Sequence, residues 1–259
     1  MKVSIALSGG GVRAMAHLGV IRVLLDHGFE IGALSGASGG ALVGLLLSDG
    51  KSPEDVLEIM KDVRFKDIAA FSGRGGLFGL KPLEELLNSN LDTKEIEKLP
   101  IPFTVVCTDL LKGSASYFGS GPAARLCVAS SSLVPIFSPL SYGETLLADG
   151  GFMDNMPTRP LSKREYPVIG VNVNPIPRKL PSGIVSATVR VLMLMMKANI
   201  ERSRELSDFY IEPAGCGSIN ILDLKKGEMA YNEGVKSAEA SIERLKSTLL
   251  RKCENDRKS

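Results

Sequence analysis

The 259-residue chain has no tryptophan, two histidines, nine phenylalanines and five tyrosines. With so few histidines, chemistry that needs several imidazoles, as ligands or as bases, has almost nothing to draw on. Excess charge is missing too: 31 Lys and Arg face 29 Asp and Glu, a formal +2, which excludes a polyanion binder held by bulk charge and predicts no nucleic-acid partner. The four cysteines, Cys107, Cys127, Cys216 and Cys253, show no metal-type spacing, so they read as reduced thiols in a cytoplasmic protein with no metal. Long apolar runs are absent. Glycines from Gly9 onward, then Arg13 and Arg22, interrupt the apolar start, and Arg190 and Lys197 interrupt Ile184 to Ile200. Neither segment reads as a signal peptide or a bilayer span, and a soluble protein is expected.

What is abundant is glycine, 27 residues, in a chain 44% hydrophobic and 23% charged. That composition fits one α/β domain over residues 1–250, with a charged tail at 251–259 expected to fray. Strand and helix signals alternate. Val3 to Leu7 reads as a strand, then a glycine loop, a helix to about His27 closed by Gly28, a strand near Ile31 to Leu34 and an apolar helix from Ala41 to Leu47. This is a βαβα opening with parallel strands. Ser52 to Asp55 predicts a helix start, running to about Val63. Phe71 to Leu80 reads as a mobile glycine-rich loop, Lys81 to Asn88 as helix, and Phe103 to Thr108, Ser114 to Phe118 and Val168 to Val173 as strands. In the last helix Val235, Ala238, Ile242, Leu245 and Leu249 form one apolar stripe. Val191 to Met196 is apolar all round, which predicts burial, with a homodimer contact or a lipid-facing surface as alternatives.

Gly36-Ala37-Ser38-Gly39-Gly40 fits Gly-x-Ser-x-Gly at a strand-to-helix turn, where a sharp bend exposes the serine and the glycines Gly36, Gly39 and Gly40 avoid collision. A serine hydroxyl needs a base. His27 sits at a helix end and reads as structural; His17, one turn after Arg13, belongs to a helix supporting the glycine loop. A Ser-carboxylate dyad therefore leads over a histidine triad. Asp149, before Gly150-Gly151 that allow close backbone approach, and Asp109, at a strand end, are the candidate bases. The amides of Gly9, Gly10 and Gly11 lie between the first strand and helix, in position to receive an oxyanion, with Arg13 reinforcing or bracing the loop. Gly9-x-Gly11-x-x-Ala14 also matches a dinucleotide fingerprint, but the far end of the second strand carries Ser35 to Ser38 rather than an acid, and Glu30 lies at the wrong end.

Together Gly9 to Arg13, His17-Leu18-Gly19-Val20, the Gly36 to Gly40 elbow and Asp149-Gly150-Gly151 resemble the patatin-like phospholipase family. Ala129-Ser130 through Pro139 and Thr108-Asp109-Leu110 with Gly113 extend the resemblance to about residue 215. It implies a three-layer α/β/α sandwich and hydrolysis of lipid acyl esters without histidine, metal or cofactor. It further implies Ser38 as nucleophile, Asp149 as base, and Gly9, Gly10, Gly11 and Arg13 around the oxyanion, with a lipid or acyl ester as partner and transient contact with a membrane surface. Ala14, Ala37 and Gly39 depart from the family pattern. Gly39 predicts a more flexible elbow, which motivates an alternative on the same fold, a lipid-binding or regulatory protein that turns over little.

Overall fold

The computed structural model describes every residue except 62, 73–74, 164, 177–182 and 257–259. The chain opens as β1 (Lys2–Leu7), a short 3-10 turn (Gly11–Ala14), α1 (Met15–Asp26), β2 (Glu30–Gly36) and α2 (Gly39–Ser48). This is the βαβα unit that the alternation of apolar runs and glycines predicts. Ser52 starts α3 (Pro53–Lys61) as expected: its Oγ accepts the Asp55 N–H at 3.1 Å while the Asp55 carboxylate accepts the Ser52 N–H at 3.1 Å. There follow α4 (Phe65–Ile68), β3 (Ala70–Phe71), β4 (Phe78–Gly79), α5 (Lys81–Asn90), β5 (Phe103–Asp109), β6 (Ser114–Phe118) and α6 (Ala123–Ser130). The remainder is β7 (Leu140–Tyr142), β8 (Thr145–Ala148), α7 (Gly151–Asp154), β9 (Val168–Val171), α8 (Ile184–Glu205), β10 (Phe209–Ile211), α9 (Gly227–Glu239) and α10 (Ile242–Asp256).

The main sheet runs β10-β9-β1-β2-β5-β8-β7, with β6 also paired to β5. From β10 to β5 the strands are parallel; β8, β7 and β6 are antiparallel. Parallel strands between helical layers are buried on both faces, which is why β1 and β5 are nearly continuous apolar runs. Ile5, Leu7, Leu34 and Val171 meet α1, α2, α6 and α9 on one face, while Ala6, Ala33 and Val168 meet Met156, Leu161 and Ile200 on the other. The result is the expected three-layer α/β/α sandwich. Because Leu7 pairs with Gly36, the glycine loop after β1 and the elbow after β2 leave the sheet side by side at its carboxyl edge, where open α/β sheets bind ligands.

Four expectations are corrected. The glycine-rich stretch from Phe71 to Leu80 is held as the β3–β4 hairpin, its Leu77 and Phe78 N–H groups bonded to the carbonyls of Pro135 and Ile136; residues 73–74 lie outside the described residues. The single last helix is two, α9 and α10, separated at Ala240 and Ser241; Ala238 and Ile242 are four apart, so the apolar stripe runs on across the break. The tail is helical through Asp256, and 257–259 lie outside the described residues. Finally, α8 is not wrapped in protein: Val191 is 55% and Met195 66% exposed.

The α1–α9 crossing depends on small residues. A Cβ on Gly234 would lie 2.0 Å from the Ala16 carbonyl oxygen, and one on Gly19 2.2 Å from that of Tyr231. Gly234→Ala is therefore expected to lower stability by about 1–3 kcal/mol through overpacking, despite alanine's better helix propensity. A urea melt with an unchanged or raised midpoint would contradict this.

Candidate active site

Ser38 lies between β2 and α2 with φ 49° and ψ −126°, the only non-glycine residue of positive φ among the described residues. Such strain persists only where surrounding contacts hold it. Its N–H donates to Ser130 Oγ at 2.9 Å, and Ser130 Oγ donates to the Val106 carbonyl at 2.6 Å. Gly36 and Gly40 pack where a Cβ would fall within 2.5 Å of the Gly40 and Leu7 carbonyl oxygens respectively. Gly39 is as constrained: a Cβ there would sit 2.7 Å from Gly11 O and 2.9 Å from Ala14 Cβ. Where the sequence predicts flexibility at Gly39, the elbow packs closely against the glycine loop.

Asp149 follows β8 and is brought to the elbow by the same α6 end. Its N–H donates to Ser132 O at 3.0 Å, the Gly150 N–H to Ser130 O at 3.1 Å, and Thr108 Oγ1 to Asp149 O at 2.7 Å. Gly150 is required because a Cβ would lie 2.2 Å from Val106 O. The Asp149 carboxyl is buried, lines the same cavity as Ser38, and accepts the Gly151 N–H at 2.8 Å. Burial raises its pKa to about 6, against the Ser38 and Gly151 hydrogen bonds that pull it down.

The other candidates are placed differently. Asp109 is also buried; burial raises its pKa, but the N–H groups of Lys112 and Leu111 and the Lys112 ammonium outweigh this and leave it below the ordinary range. It closes the β5–β6 turn. His17 donates through Nε2 to Ser8 O at 2.8 Å, and burial lowers its pKa to about 4, so it is a neutral strut beneath the glycine loop. His27 ends α1, next to the Lys246 ammonium at 3.3 Å. Glu30 begins β2, at the opposite end from the elbow.

The glycine loop divides its amides. The Gly9 N–H is already donated to Asn155 O at 3.0 Å, so of the three expected oxyanion donors Gly9 is engaged elsewhere. Among the described residues no protein acceptor takes the N–H of Gly10, Gly11 or Gly39. Gly39 opens α2, whose amide end favours negative charge. Arg13 braces rather than faces the loop: its Nε donates to Ile219 O at 2.7 Å, while Nη1 has no partner among the described residues.

These groups line a cavity of about 1560 Å³ walled by apolar side chains, among them Leu46, Phe137, Leu192 and Met196. Sequence reasoning missed two buried residues of the site. Ser130 was visible only as part of a family landmark, and Asn155, which lines the cavity with Ser38 and Asp149, carried no signal beyond lying four residues after Gly151. No group of His, Cys, Asp and Glu suited to a metal occurs among the described residues.

The family model described as Patatin-like phospholipase matches residues 5–162. An NTE family protein of Mycobacterium tuberculosis is 33% identical over 164 residues, covering 62% of this chain and 46% of the relative. Lysophospholipase NTE1 of Debaryomyces hansenii is 27% identical over 240 residues, 86% of this chain but 15% of its own length. The chain thus spans less than half of these relatives. Among solved structures, VipD from Legionella pneumophila superposes with TM-score 0.58 at 15% identity, covering 93% of this chain and 67% of that one. The type III effector ExoU gives 0.51 at 12%, covering 94% and 53%.

Asp149 binds its proton more tightly folded, at about 6, than unfolded, at about 4. Its protonation therefore favours the folded state below pH 4, and that contribution is lost as pH rises through 6. Asp149→Asn is expected to stabilise the protein by about 1–3 kcal/mol at pH 8 and to have little effect at pH 4. Calorimetry showing a lower Tm at pH 8 would refute the burial account. With the glycine loop, strained elbow and Asp-Gly-Gly turn at one sheet edge and a family match over more than half its length, this chain belongs to the patatin-like phospholipase family.

Proposed function

We propose that the protein is a lipid acyl hydrolase in which Ser38 is the nucleophile and Asp149 the general base. The observation that carries the reading is that Ser38, on its strained elbow, and the buried Asp149 carboxyl line one large apolar cavity, with the Ser38 hydroxyl near enough to pull the Asp149 pKa down. As Ser38 Oγ attacks the ester carbonyl carbon, Asp149 takes its proton; the carbonyl oxygen gains negative charge beside the Gly10, Gly11 and Gly39 amides. The C–O bond to the leaving alcohol breaks as Asp149 returns the proton to that alcohol. Water then releases the acid by the reverse sequence, and no step calls for a metal or cofactor. A carboxylate near pKa 6 is a better base than one near 4 yet remains ionised at neutral pH.

The cavity suits an acyl chain, and α8 relates it to a lipid surface. Leu192, Met196 and Ile200 wall the cavity, while Val191, Leu194 and Met195 on the same helix face outward and Ile184 stands 86% exposed at the rim. We assign this outer face to peripheral contact with the lipid surface that holds the substrate. No helix among the described residues is long and apolar enough to cross a membrane. The unpaired, buried Cys107, Cys127 and Cys216 thiols suit a reducing, cytoplasmic location.

Ser38→Ala and Asp149→Asn should each cut hydrolysis of a p-nitrophenyl acyl ester by at least about 1,000-fold with the fold retained, and Ser38→Ala should lose labelling by a fluorophosphonate. Activity within tenfold of the parent in either variant would refute the dyad. In the parent, kcat/KM should rise about tenfold per pH unit up to about 6 and then level off, since only the ionised Asp149 accepts the proton. For α8, Val191→Asp with Met195→Asp should lose co-flotation with phosphatidylcholine vesicles while keeping turnover of a soluble short-chain ester. Unchanged flotation with loss of self-association would assign the face to a homodimer.

A further inference from the structure

Asn155 caps the C-terminal end of α7, and its main chain is fully engaged: its N–H donates to Asn199 Oδ1 at 2.9 Å and its carbonyl accepts the Gly9 N–H. Its side chain is the opposite. The residue is 1% exposed, yet neither Oδ1 nor Nδ2 has a hydrogen-bond partner among the described residues. A buried amide without partners costs free energy and is retained where something absent from the resting protein completes it.

Its position says what that something is. Asn155 Oδ1 lies 2.6 Å from the point a Cβ on Gly9 would occupy, and Ser38 Cβ lies 2.9 Å from the same point. It lies 2.6 Å from the corresponding point on Gly151, with Asp149 Oδ1 at 3.0 Å. The two oxygens are therefore at most about 6 Å apart, a span that one water hydrogen-bonded to both can bridge. A bare Ser-carboxylate pair has a particular need here: once Ser38 is acylated, the attacking water has one hydrogen directed at Asp149, and nothing in the dyad holds its other hydrogen.

We propose that the Asn155 carboxamide holds the water that hydrolyses acyl-Ser38, a role that rests on the Ser38–Asp149 reading above. Asn155 Oδ1 accepts the hydrogen that Asp149 does not remove, which aims the water's lone pair at the acyl carbon. The water oxygen bonds to that carbon as Asp149 takes a proton; the carbon–Oγ bond then breaks, Oγ recovers the proton from Asp149, and the carboxylic acid leaves. Acylation needs no water, so Asn155 acts on the second half-reaction.

The test is rapid-mixing kinetics on a p-nitrophenyl ester with Asn155→Leu and Asn155→Ala, each checked for folding by its melt. The expected result is a nitrophenolate burst within about twofold of the parent rate, followed by steady-state turnover reduced about tenfold to a hundredfold, with acyl-Ser38 accumulating by intact mass. Asn155→Ser, which restores a small polar group, should recover part of the turnover. Equal losses in burst and steady state, or full turnover with no adduct, would overturn the assignment. If only the leucine variant unfolds, the alanine and serine variants decide by the same ratio. A parent enzyme that forms no Ser38 adduct under any condition would overturn this role and the Ser38 reading together, whereas adduct formation with an unchanged ratio would overturn this role alone.

Discussion

The buried hydroxyl of Ser130 is the joint on which the site depends. It accepts the Ser38 N–H and donates to the Val106 carbonyl, while the Ser130 carbonyl accepts the Gly150 N–H. The turns after β2 and β8 and the middle of β5 are thereby tied to the last residue of α6. Ser38 and Asp149 are 111 positions apart in sequence, and a connection of this kind brings a strained serine and a buried carboxylate to one cavity. A hydrogen bond between fully buried partners is worth more held than its net contribution suggests, because losing one leaves the other unsatisfied.

Stability is sacrificed locally around that joint. Ser38 has a backbone conformation that non-glycine residues avoid, Asp149 is ionisable in an environment that disfavours its charge, and Asn155 has an unpartnered amide. All three line one cavity. A buried carboxylate away from the cavity is fully paired by contrast: Asp49 accepts the Asp92 and Thr93 N–H groups and the Lys51 ammonium. Three different kinds of unfavourable feature gathered in one cavity mark where function outweighs folding.

The helix α8 links this site to the surface. Asn199 donates to the Gly151 carbonyl and accepts the Asn155 N–H, and Met196 Cε lies against Gly151, so the helix that walls the cavity also holds the Asp149 turn. Its outer residues Val191, Leu194 and Met195 are apolar as well, ahead of the exposed Lys197 and Glu201. An apolar stretch covered by protein on only one side is the feature from which the proposal of a lipid-facing surface starts.

Much of this was legible in order along the chain. The elbow, glycine loop and Asp-Gly-Gly turn are local: each needs small residues at fixed offsets, and strand and helix periods around them are short-range properties of the backbone. The single apolar stripe from Val235 to Leu249 misled because its spacing survives a break in the helix, and the apolar Val191 to Met196 segment misled because composition does not say what lies beside it. The choice between Asp149 and Asp109 could not be made from spacing, since both lie at strand ends; in the fold the Lys112 and Leu111 N–H groups occupy Asp109, while Asp149 lines the cavity with Ser38. Sequence alone determined which residues could bend sharply, pack closely or react, because those are properties of the side chain and its neighbours. Only the tertiary structure decided that Gly9's amide is taken, that Ser130 joins the halves and that Asn155 stands unpartnered, because hydrogen bonds across strands depend on distances that no local pattern records.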